Sequence, residues 1–233
     1  MIPAVILAGG MGTRLRAVSS GLPKPMIHVG GRPFIEYILD PLVDAHVPSI
    51  YLAVSFRSEF VQARLGHSYR GTTLHYSVET TPLGTGGAIL NCLREHNLSR
   101  AMILNGDTLF RINIDSLVAA HIEANSQITM ALRHVDDPSR YGAVTCDTHN
   151  RVVAFDEKLL QRNDSLINGG IYILERSAFE SIALPDCFSF ERDFLHSNVR
   201  TLRPLGVVSN GYFIDIGVPE DLERARREVP NEL

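Results

Sequence analysis

The sequence predicts an α/β protein whose mainly parallel central sheet is covered by helices on both faces. Three observations predict it: strand and helix patterns alternate over residues 1–126, the first strand runs into a glycine-rich turn, and strand-like runs dominate from residue 127 onward. Short apolar strands separated by helices form parallel sheets, and a glycine turn after the first strand is typical of Rossmann-like folds. The later strands predict an added strand-rich subregion.

The first half supplies the alternating elements. Residues 33–46 place apolar side chains at helical spacing, whereas residues 50–54 form a short β-branched run. The predicted strands of this half are 4–8, 50–54, 74–78 and 101–104, and the predicted helices are 33–46, 57–65 and 88–96.

The second half is richer in strands. Its predicted strands are 128–134, 143–146, 152–155 and 170–174, and its predicted helix is 219–227, where Pro219 suits a first helical turn. No linker-like or low-complexity segment separates the halves. We therefore predict a single domain over residues 1–233, with 1–126 and 127–233 as subregions.

Composition and charge exclude several classes of protein. The net charge is -4 and the 22 Lys and Arg residues are scattered, which argues against a nucleic-acid partner. No window approaches the roughly 20 apolar residues of a membrane span, so no membrane partner is expected. Cys92, Cys146 and Cys187 lack disulfide or zinc spacing, and residues 1–8 lack the basic start of a signal peptide. These features predict a cytoplasmic protein.

The glycine-rich turn is the first candidate for phosphate binding. It reads L-A-G-G-M-G-T-R-L from Leu7, and Lys24 follows between two prolines. Glycines let backbone N–H groups approach a phosphate, and Arg14 and Lys24 would place two cations nearby. Leu15 replaces the third glycine of a dinucleotide fingerprint, and no Gly-Lys-Ser/Thr of a P-loop follows. A bare glycine turn with two surface cations remains the alternative.

Two aspartates are candidates for metal binding. Asp107 follows the apolar run M-I-L-N-G, and Asp215 follows Y-F-I. Mg²⁺ is usually held by one or two carboxylates together with substrate phosphates, so this pair could suffice. Either Asp alone could instead cap a turn or a helix.

Together these residues resemble a known signature. L-A-G-G-x-G-T-R-L followed by K-P is similar to the signature of sugar-1-phosphate nucleotidyltransferases, and the similarity extends over nearly the whole chain. The resemblance implies that Arg14 takes the outgoing pyrophosphate, that Lys24 contacts the α-phosphate, and that Asp107 and Asp215 bind Mg²⁺ as catalytic residues. It also implies a first nucleotide-binding set, which comprises Leu7, Ala8, Gly9, Gly10, Gly12 and Thr13.

A second loop, E-T-T-P-L-G-T-G-G-A from Glu79, resembles the second nucleotide-contacting loop of that family. It lies before a predicted helix and adds Glu79, Pro82, Gly84 and Thr85 to the nucleotide-binding set. The Glu79 carboxylate could accept from the two N–H donors on the guanine edge, whereas the carbonyls of uracil and thymine would repel it. GTP is therefore the favoured nucleotide.

Stretches of the second half resemble the family's sugar-phosphate pocket. They imply a sugar-phosphate-binding set of Tyr141, Gly142, Glu157, Lys158, Asn168, Gly169 and Glu191, to which the family resemblance adds Asn105 of the first half. Leu159 replaces the proline of the common F-x-E-K-P, which puts the placement of Lys158 in doubt. Glu191 lies in F-S-F-E, a stretch that a capping Ser189 followed by an amphipathic helix explains equally well.

Within the family, the combination of R-Y-G, L-I-N-G-G-I-Y and F-S-F-E is most similar to the guanylyltransferases of D-glycero-α-D-manno-heptose 1-phosphate. That resemblance implies transfer of GMP from GTP to this sugar, with pyrophosphate released, and it allows a homodimer. Mannose 1-phosphate, a uridylyl or thymidylyl transfer, and a non-catalytic nucleotide-sugar sensor remain alternatives. A dinucleotide-dependent oxidoreductase is disfavoured by Leu15.

Overall fold

The computed structural model describes residues 1–10, 15, 21–138, 140–156 and 165–231. The α-helices are α1 (Phe34–Asp44), α2 (Ser58–Leu65), α3 (Gly84–Glu95), α4 (Ile114–Glu123), α5 (Ser197–Leu202) and α6 (Pro219–Glu228), and a π-helix covers Phe190–His196. The strands are β1 (Ala4–Leu7), β2 (His28–Val29), β3 (Arg32–Pro33), β4 (Ile50–Val54), β5 (Ser68–Tyr69), β6 (Thr72–Val78), β7 (Arg100–Asn105), β8 (Thr108–Phe110), β9 (Ile128–Val135), β10 (Ala143–Cys146), β11 (Val152–Asp156), β12 (Ser165–Glu175), β13 (Leu205–Val208) and β14 (Phe213–Asp215). Within the described ranges, none of the helices has the length and apolar character needed to cross a bilayer.

The chain folds into two compact units. Unit 1 comprises Met1–Pro82, Leu104–Arg111 and Tyr212–Leu233, and unit 2 comprises Leu83–Ile103 and Ile112–Gly211. The single domain with functional subregions 1–126 and 127–233 stays a prediction.

Unit 1 contains the parallel sheet that the sequence predicts. β1 pairs in parallel with β4 and β4 with β6, while β5 pairs antiparallel with β6. All five residues of β4 are buried, as expected for a parallel strand covered on both faces. The carboxyl ends of β1, β4 and β6 lie at one edge, since Leu7 pairs with Ala53 and Val54 with Val78. This edge carries the first candidate site residues.

Helix α1 shows how the sequence pattern produces its element. Phe34, Ile35, Ile38, Leu39 and Leu42 form its buried stripe at the spacing of one helical face. Pro33 has an extended backbone that ends β3 and precedes the first turn. The predicted helix is confirmed, although it is shorter at both ends than residues 33–46.

A short antiparallel pair in unit 1 was not predicted. β8 pairs with β14 so that Thr108 faces Asp215 and Phe110 faces Phe213. The two phenyl rings pack edge to face with centroids 5.7 Å apart, which is a favourable aromatic geometry. The pair joins residues about a hundred positions apart in the sequence, and it thereby brings Asp107 and Asp215 together.

Unit 2 is strand-rich and contains the strands that the sequence predicts between residues 128 and 174. Its strands follow the order β11-β10-β12-β9-β13, with antiparallel pairing except for the parallel β13–β9 pair. β12 is much longer than the predicted 170–174 because residues 165–168 also pair with β9, beyond a bulge between Asn168 and Tyr172. Helix α4 was missed, although Asn113 caps it by accepting from the Ser116 N–H at 2.8 Å.

Helix α3 of unit 2 begins at Gly84, so the predicted start at residue 88 is wrong. Glycine is a poor helix former, and three glycines at positions 84, 86 and 87 argued for a loop. Tertiary packing outweighs this low helix propensity. The ring of Phe188 lies so close to the helix that a Cβ on Gly86 would be 2.8 Å from its Cζ, so only glycine fits there. Gly84 and Thr85 therefore form the first turn of a helix instead of a loop before it.

Candidate active site

The centre of the candidate site in unit 1 is a cluster of one cation and two carboxylates. The Lys24 ammonium donates to Oδ2 of Asp107, and a Cβ on Gly217 would lie 3.4 Å from the Lys24 Nζ and 2.7 Å from the Asp215 Oδ1. Three residues that the sequence singled out as catalytic are thus brought together. They come from three separate segments of the chain.

Backbone contacts fix the two carboxylates of this cluster. The Gly217 N–H donates to Oδ1 of Asp215 at 2.5 Å, and the Ile216 N–H donates to the backbone carbonyl of Asp107 at 2.9 Å. Asp107 also accepts from the Thr108 hydroxyl at 3.3 Å. The aspartates are therefore held mainly by the β8–β14 pair and its adjoining turns.

Gly106 allows the chain to approach the end of β1. Its N–H donates to the Leu7 carbonyl at 3.1 Å, and a Cβ there would clash with the Leu7 carbonyl oxygen and lie 3.3 Å from Cγ of Pro25. Only glycine fits without a backbone shift, because the nearest obstacle is itself backbone. The close approach places Asp107 directly after the predicted nucleotide strand.

The electrostatics of the cluster favour a bound cation. Burial and, next, the negative charge of Asp107 raise the pKa of Asp215 to about 6, while Lys24 and the Gly217 N–H act in the opposite direction. The second negative charge is thus incompletely compensated by the protein. A cation near both carboxylates would supply the missing compensation.

The donor set fits Mg²⁺ held jointly by protein and substrate. The described part of the chain offers no group of three or more His, Cys, Asp or Glu residues that could hold a metal alone. Mg²⁺ is commonly bound through one or two carboxylates plus phosphates and water. Asp107 and Asp215 provide such a pair.

The predicted nucleotide loop begins at the carboxyl end of β1. Ala8 is buried and donates its N–H to the Ala53 carbonyl at 2.8 Å, whereas Gly10 is exposed. The Ser55 hydroxyl donates to the Gly9 carbonyl at 2.7 Å. A Cβ on Gly9 would lie 2.8 Å from Oγ of Ser55 and 3.2 Å from its backbone nitrogen, so a larger residue would force the Ser55 hydroxyl or the loop to shift.

Glu79 lies beside this loop at the end of β6. Its N–H donates to the Val54 carbonyl at 2.9 Å, and its Oε1 lies 3.4 Å from the position of a Cβ on Gly9. The structure therefore brings the carboxylate proposed to select the base next to the first glycine of the loop. Pro82, three residues further on, is exposed.

Unit 2 brings together two predicted sugar-binding residues. Oε1 of Glu191 accepts from the Asn168 amide at 3.2 Å and from the Tyr172 hydroxyl at 2.7 Å. Asn168 sits at the β12 bulge, where its Oδ1 accepts from the Gly170 N–H at 3.1 Å. Bulges commonly reorient side chains next to functional sites. Gly169 lies within the same bulge.

The remaining predicted residues are placed separately or lie outside the described ranges. Tyr141 and Gly142 form a turn in which both N–H groups donate to the Pro138 carbonyl, and Asn105 ends β7. The predictions for Gly12, Thr13, Arg14, Glu157 and Lys158 concern residues that the structure does not describe.

Three contacting residues were missed from the sequence: Ser55, Gly106 and Tyr172. Gly106 and Tyr172 lie in the motifs M-I-L-N-G and L-I-N-G-G-I-Y, but the motifs alone predicted no role for either residue. Ser55 had no sequence signal, because its hydrogen bond to Gly9 spans 46 positions.

Comparison with known proteins shows the family to which the chain belongs. The nucleotidyl transferase family model matches residues 3–232, so the chain belongs to the nucleotidyl transferase family. The predicted family, α/β fold class and class of enzyme are thereby confirmed.

Individual relatives show which members of the family the chain is similar to. The D-glycero-alpha-D-manno-heptose 1-phosphate guanylyltransferase of Aneurinibacillus thermoaerophilus is 39% identical over 226 residues, which cover 97% of both chains. The enzyme of the same name from Campylobacter jejuni is 40% identical over 218 residues, covering 94% of this chain and 96% of that protein. The crystal structure of HddC from Yersinia pseudotuberculosis complexed with GMP-PN has a TM-score of 0.85 at 34% identity, covering 98% of this chain and 100% of that chain.

Proposed function

We propose that the protein transfers GMP from GTP to D-glycero-α-D-manno-heptose 1-phosphate, giving GDP-heptose and pyrophosphate. The Lys24–Asp107–Asp215 cluster carries the proposal. A reaction between two polyanions requires a cation that neutralises phosphate and carboxylates that hold a metal ion, all in fixed positions. The relatives named as heptose 1-phosphate guanylyltransferases support the choice of sugar, and the HddC complex with GMP-PN supports the base.

The reaction needs positioning more than base catalysis. A phosphate monoester has a second pKa near ~6, so the sugar 1-phosphate is already largely dianionic at neutral pH. One of its oxygens attacks the α-phosphorus of GTP, a new P–O bond forms, and the bond to the β-phosphate oxygen breaks. Pyrophosphate then leaves with the electron pair of that bond.

The chain's own residues hold and neutralise the reacting groups in this proposal. Asp107 and Asp215 would hold Mg²⁺, which when bound offsets negative charge on the phosphates. The Lys24 ammonium lies at the same cluster and would orient the α-phosphate. Arg14 is proposed to bind the outgoing pyrophosphate.

The other proposed binding residues form one set in each unit. In unit 1, Leu7, Ala8, Gly9 and Gly10 are proposed to line the nucleotide, together with Gly12 and Thr13. In unit 2, Asn168 and Glu191 are proposed to bond sugar hydroxyls, because their mutual hydrogen bond fixes both polar ends. Lys158 is proposed to hold the sugar phosphate.

We also propose a cytoplasmic location and leave the homodimer as a prediction. Within the described residues, no disulfide joins Cys92, Cys146 or Cys187, which suits a reducing compartment. Sedimentation of the purified protein would test the dimer.

Glu79→Gln should weaken guanine selection. The carboxylate can accept both guanine N–H donors, whereas an amide can accept through its oxygen alone. We expect kcat/KM for GTP to fall by about 10–100-fold, the size of one charge-assisted hydrogen bond. Initial rates with GTP measure this effect, and an unchanged kcat/KM would remove Glu79 from base recognition. Glu59→Gln, on the exposed side of α2, is the matched control.

Pyrophosphate release by the purified protein tests the proposed function. GTP, UTP, dTTP, CTP and ATP are each combined with Mg²⁺ and with a panel of sugar 1-phosphates that includes the manno-heptose and mannose. We expect release with GTP and the heptose. Release with mannose 1-phosphate alone would contradict the proposed sugar, and binding of a nucleotide sugar without release from any pair would favour a sensor.

A further inference from the structure

Residues 188–191 of unit 2 form a bridging segment between two features of the candidate site. Its first residues contact the N-terminal turn of α3, which carries Gly84 and Thr85. Its last residue, Glu191, bonds Asn168 and Tyr172 on β12. The last two residues of the segment begin a seven-residue π-helix, Phe190–His196, a rare geometry that occurs frequently at functional sites.

Three hydrogen bonds fix the segment to α3. The Phe188 N–H donates to the Leu83 carbonyl at 3.0 Å, and the Gly86 N–H donates to the Phe188 carbonyl at 2.9 Å. The Phe190 N–H donates to the Thr85 hydroxyl at 2.9 Å. Thr85, which belongs to the predicted nucleotide loop, thus restrains the backbone of Phe190, the residue directly before Glu191.

Tyr172 fixes the other end. Its side chain is 0% exposed, and its hydroxyl donates to Oε1 of Glu191 at 2.7 Å. The ring of Phe190 packs edge to face against the Tyr172 ring, with centroids 5.0 Å apart and an interplanar angle of 83°. Glu191 is consequently held from its backbone side by Thr85 and from its carboxylate side by Tyr172.

We propose that Thr85 and Tyr172 are positioning residues that orient Glu191 for a sugar hydroxyl. This inference rests on the proposed function and assigns Thr85 to sugar recognition, although its sequence motif predicts nucleotide contact. Tyr172 is fully buried and acts through the carboxylate that it bonds. The bridging segment therefore makes the first turn of α3 a determinant of sugar affinity.

Steady-state kinetics of Thr85→Val and Tyr172→Phe test the inference. Each change removes one hydroxyl and nearly preserves shape, so Glu191 loses one restraint; Tyr172→Phe also removes an acceptor of the Asn168 amide, which keeps its bond to Glu191. We expect KM for the sugar 1-phosphate to rise by about tenfold, the effect of one hydrogen bond to a charged partner, while KM for GTP changes by less than about twofold. Thr85→Ser retains the hydroxyl and should restore the wild-type KM for the sugar.

A double-mutant cycle with Glu191→Gln separates positioning from a general structural defect. If Tyr172 acts through the Glu191 carboxylate, Tyr172→Phe should raise KM for the sugar much less in the Glu191→Gln background than in the wild type. Full additivity of the two effects would overturn the inference. An equal rise in KM for GTP and for the sugar in Thr85→Val would also overturn it, because Thr85 would then serve the nucleotide.

Backbone amide exchange provides a readout that needs no turnover. Thr85→Val should accelerate exchange of the Phe190 amide, which loses its acceptor, and unchanged exchange would overturn the inference. A wild-type protein that releases no pyrophosphate from any substrate pair would refute the proposed function, while the exchange result would still decide whether Thr85 restrains the segment. If the wild type turns over and both variants match its sugar KM, the proposed function stands and the positioning roles fall.

Discussion

Asp107→Asn and Asp215→Asn should each lower kcat for pyrophosphate release by about 10²–10³-fold, the usual cost of losing one preorganised charged group. Each change removes one negative charge from the pair proposed to hold Mg²⁺, while the amide oxygen still accepts a hydrogen bond. The Gly217 N–H can therefore keep its partner in Asp215→Asn. Pyrophosphate release over a series of Mg²⁺ concentrations measures the loss and the weaker metal dependence.

Stability separates a catalytic role for these aspartates from a structural one. Burial and Asp107 disfavour the charged form of Asp215, so we expect Asp215→Asn to unfold at or above the wild-type temperature in Mg²⁺-free buffer. Asp44→Asn is the control, because Asp44, the last residue of α1, is an exposed carboxylate paired with Arg70. Wild-type turnover in both site variants would contradict the metal assignment.

Gly106→Ala should damage both stability and turnover. Its Cβ would clash with the Leu7 carbonyl oxygen, and the Leu7 backbone together with the Pro25 ring leaves little room to adjust. We expect a loss of about 1–3 kcal/mol in the free energy of unfolding, typical of overpacking. Displacement of Asp107 should lower kcat as well, by about tenfold or more, since a misplacement of ~1 Å can cost about 10²-fold.

Gly10→Ala is the matched control for the stability measurement. No described atom lies within 4 Å of a Cβ on Gly10, so its denaturation midpoint should match that of the wild type. Chemical denaturation of the two variants under the same conditions gives the comparison. Equal midpoints for Gly106→Ala and Gly10→Ala would show that the close approach to Leu7 is not maintained in solution.

Local patterns predicted the elements that carry strong periodicity. β4 was predicted without error because five consecutive apolar residues between turn signals form a buried strand. The start of α3 was missed because Gly86 is stabilised by packing on Phe188, a contact 102 positions away that no local propensity encodes. β8 and β14 have three residues each, too few to show an alternating pattern.

The candidate site was predictable as a set of residue types but not as a network. Asp107 and Asp215 stood out at the ends of apolar runs, and the structure places them in one cluster with Lys24. The restraints on Gly9 and Glu191 come from Ser55 and Tyr172, whose hydrogen bonds depend on tertiary packing. The assignments of Arg14, Glu157 and Lys158 stay predictions.

The most direct test of the central claim is ³¹P NMR of the wild-type protein with GTP, Mg²⁺ and D-glycero-α-D-manno-heptose 1-phosphate. We expect the sugar monophosphate and triphosphate signals to disappear together, while a nucleotide-sugar diphosphate and pyrophosphate appear in equal amounts. Unchanged signals, or release of inorganic phosphate from GTP without a new diphosphate, would contradict it.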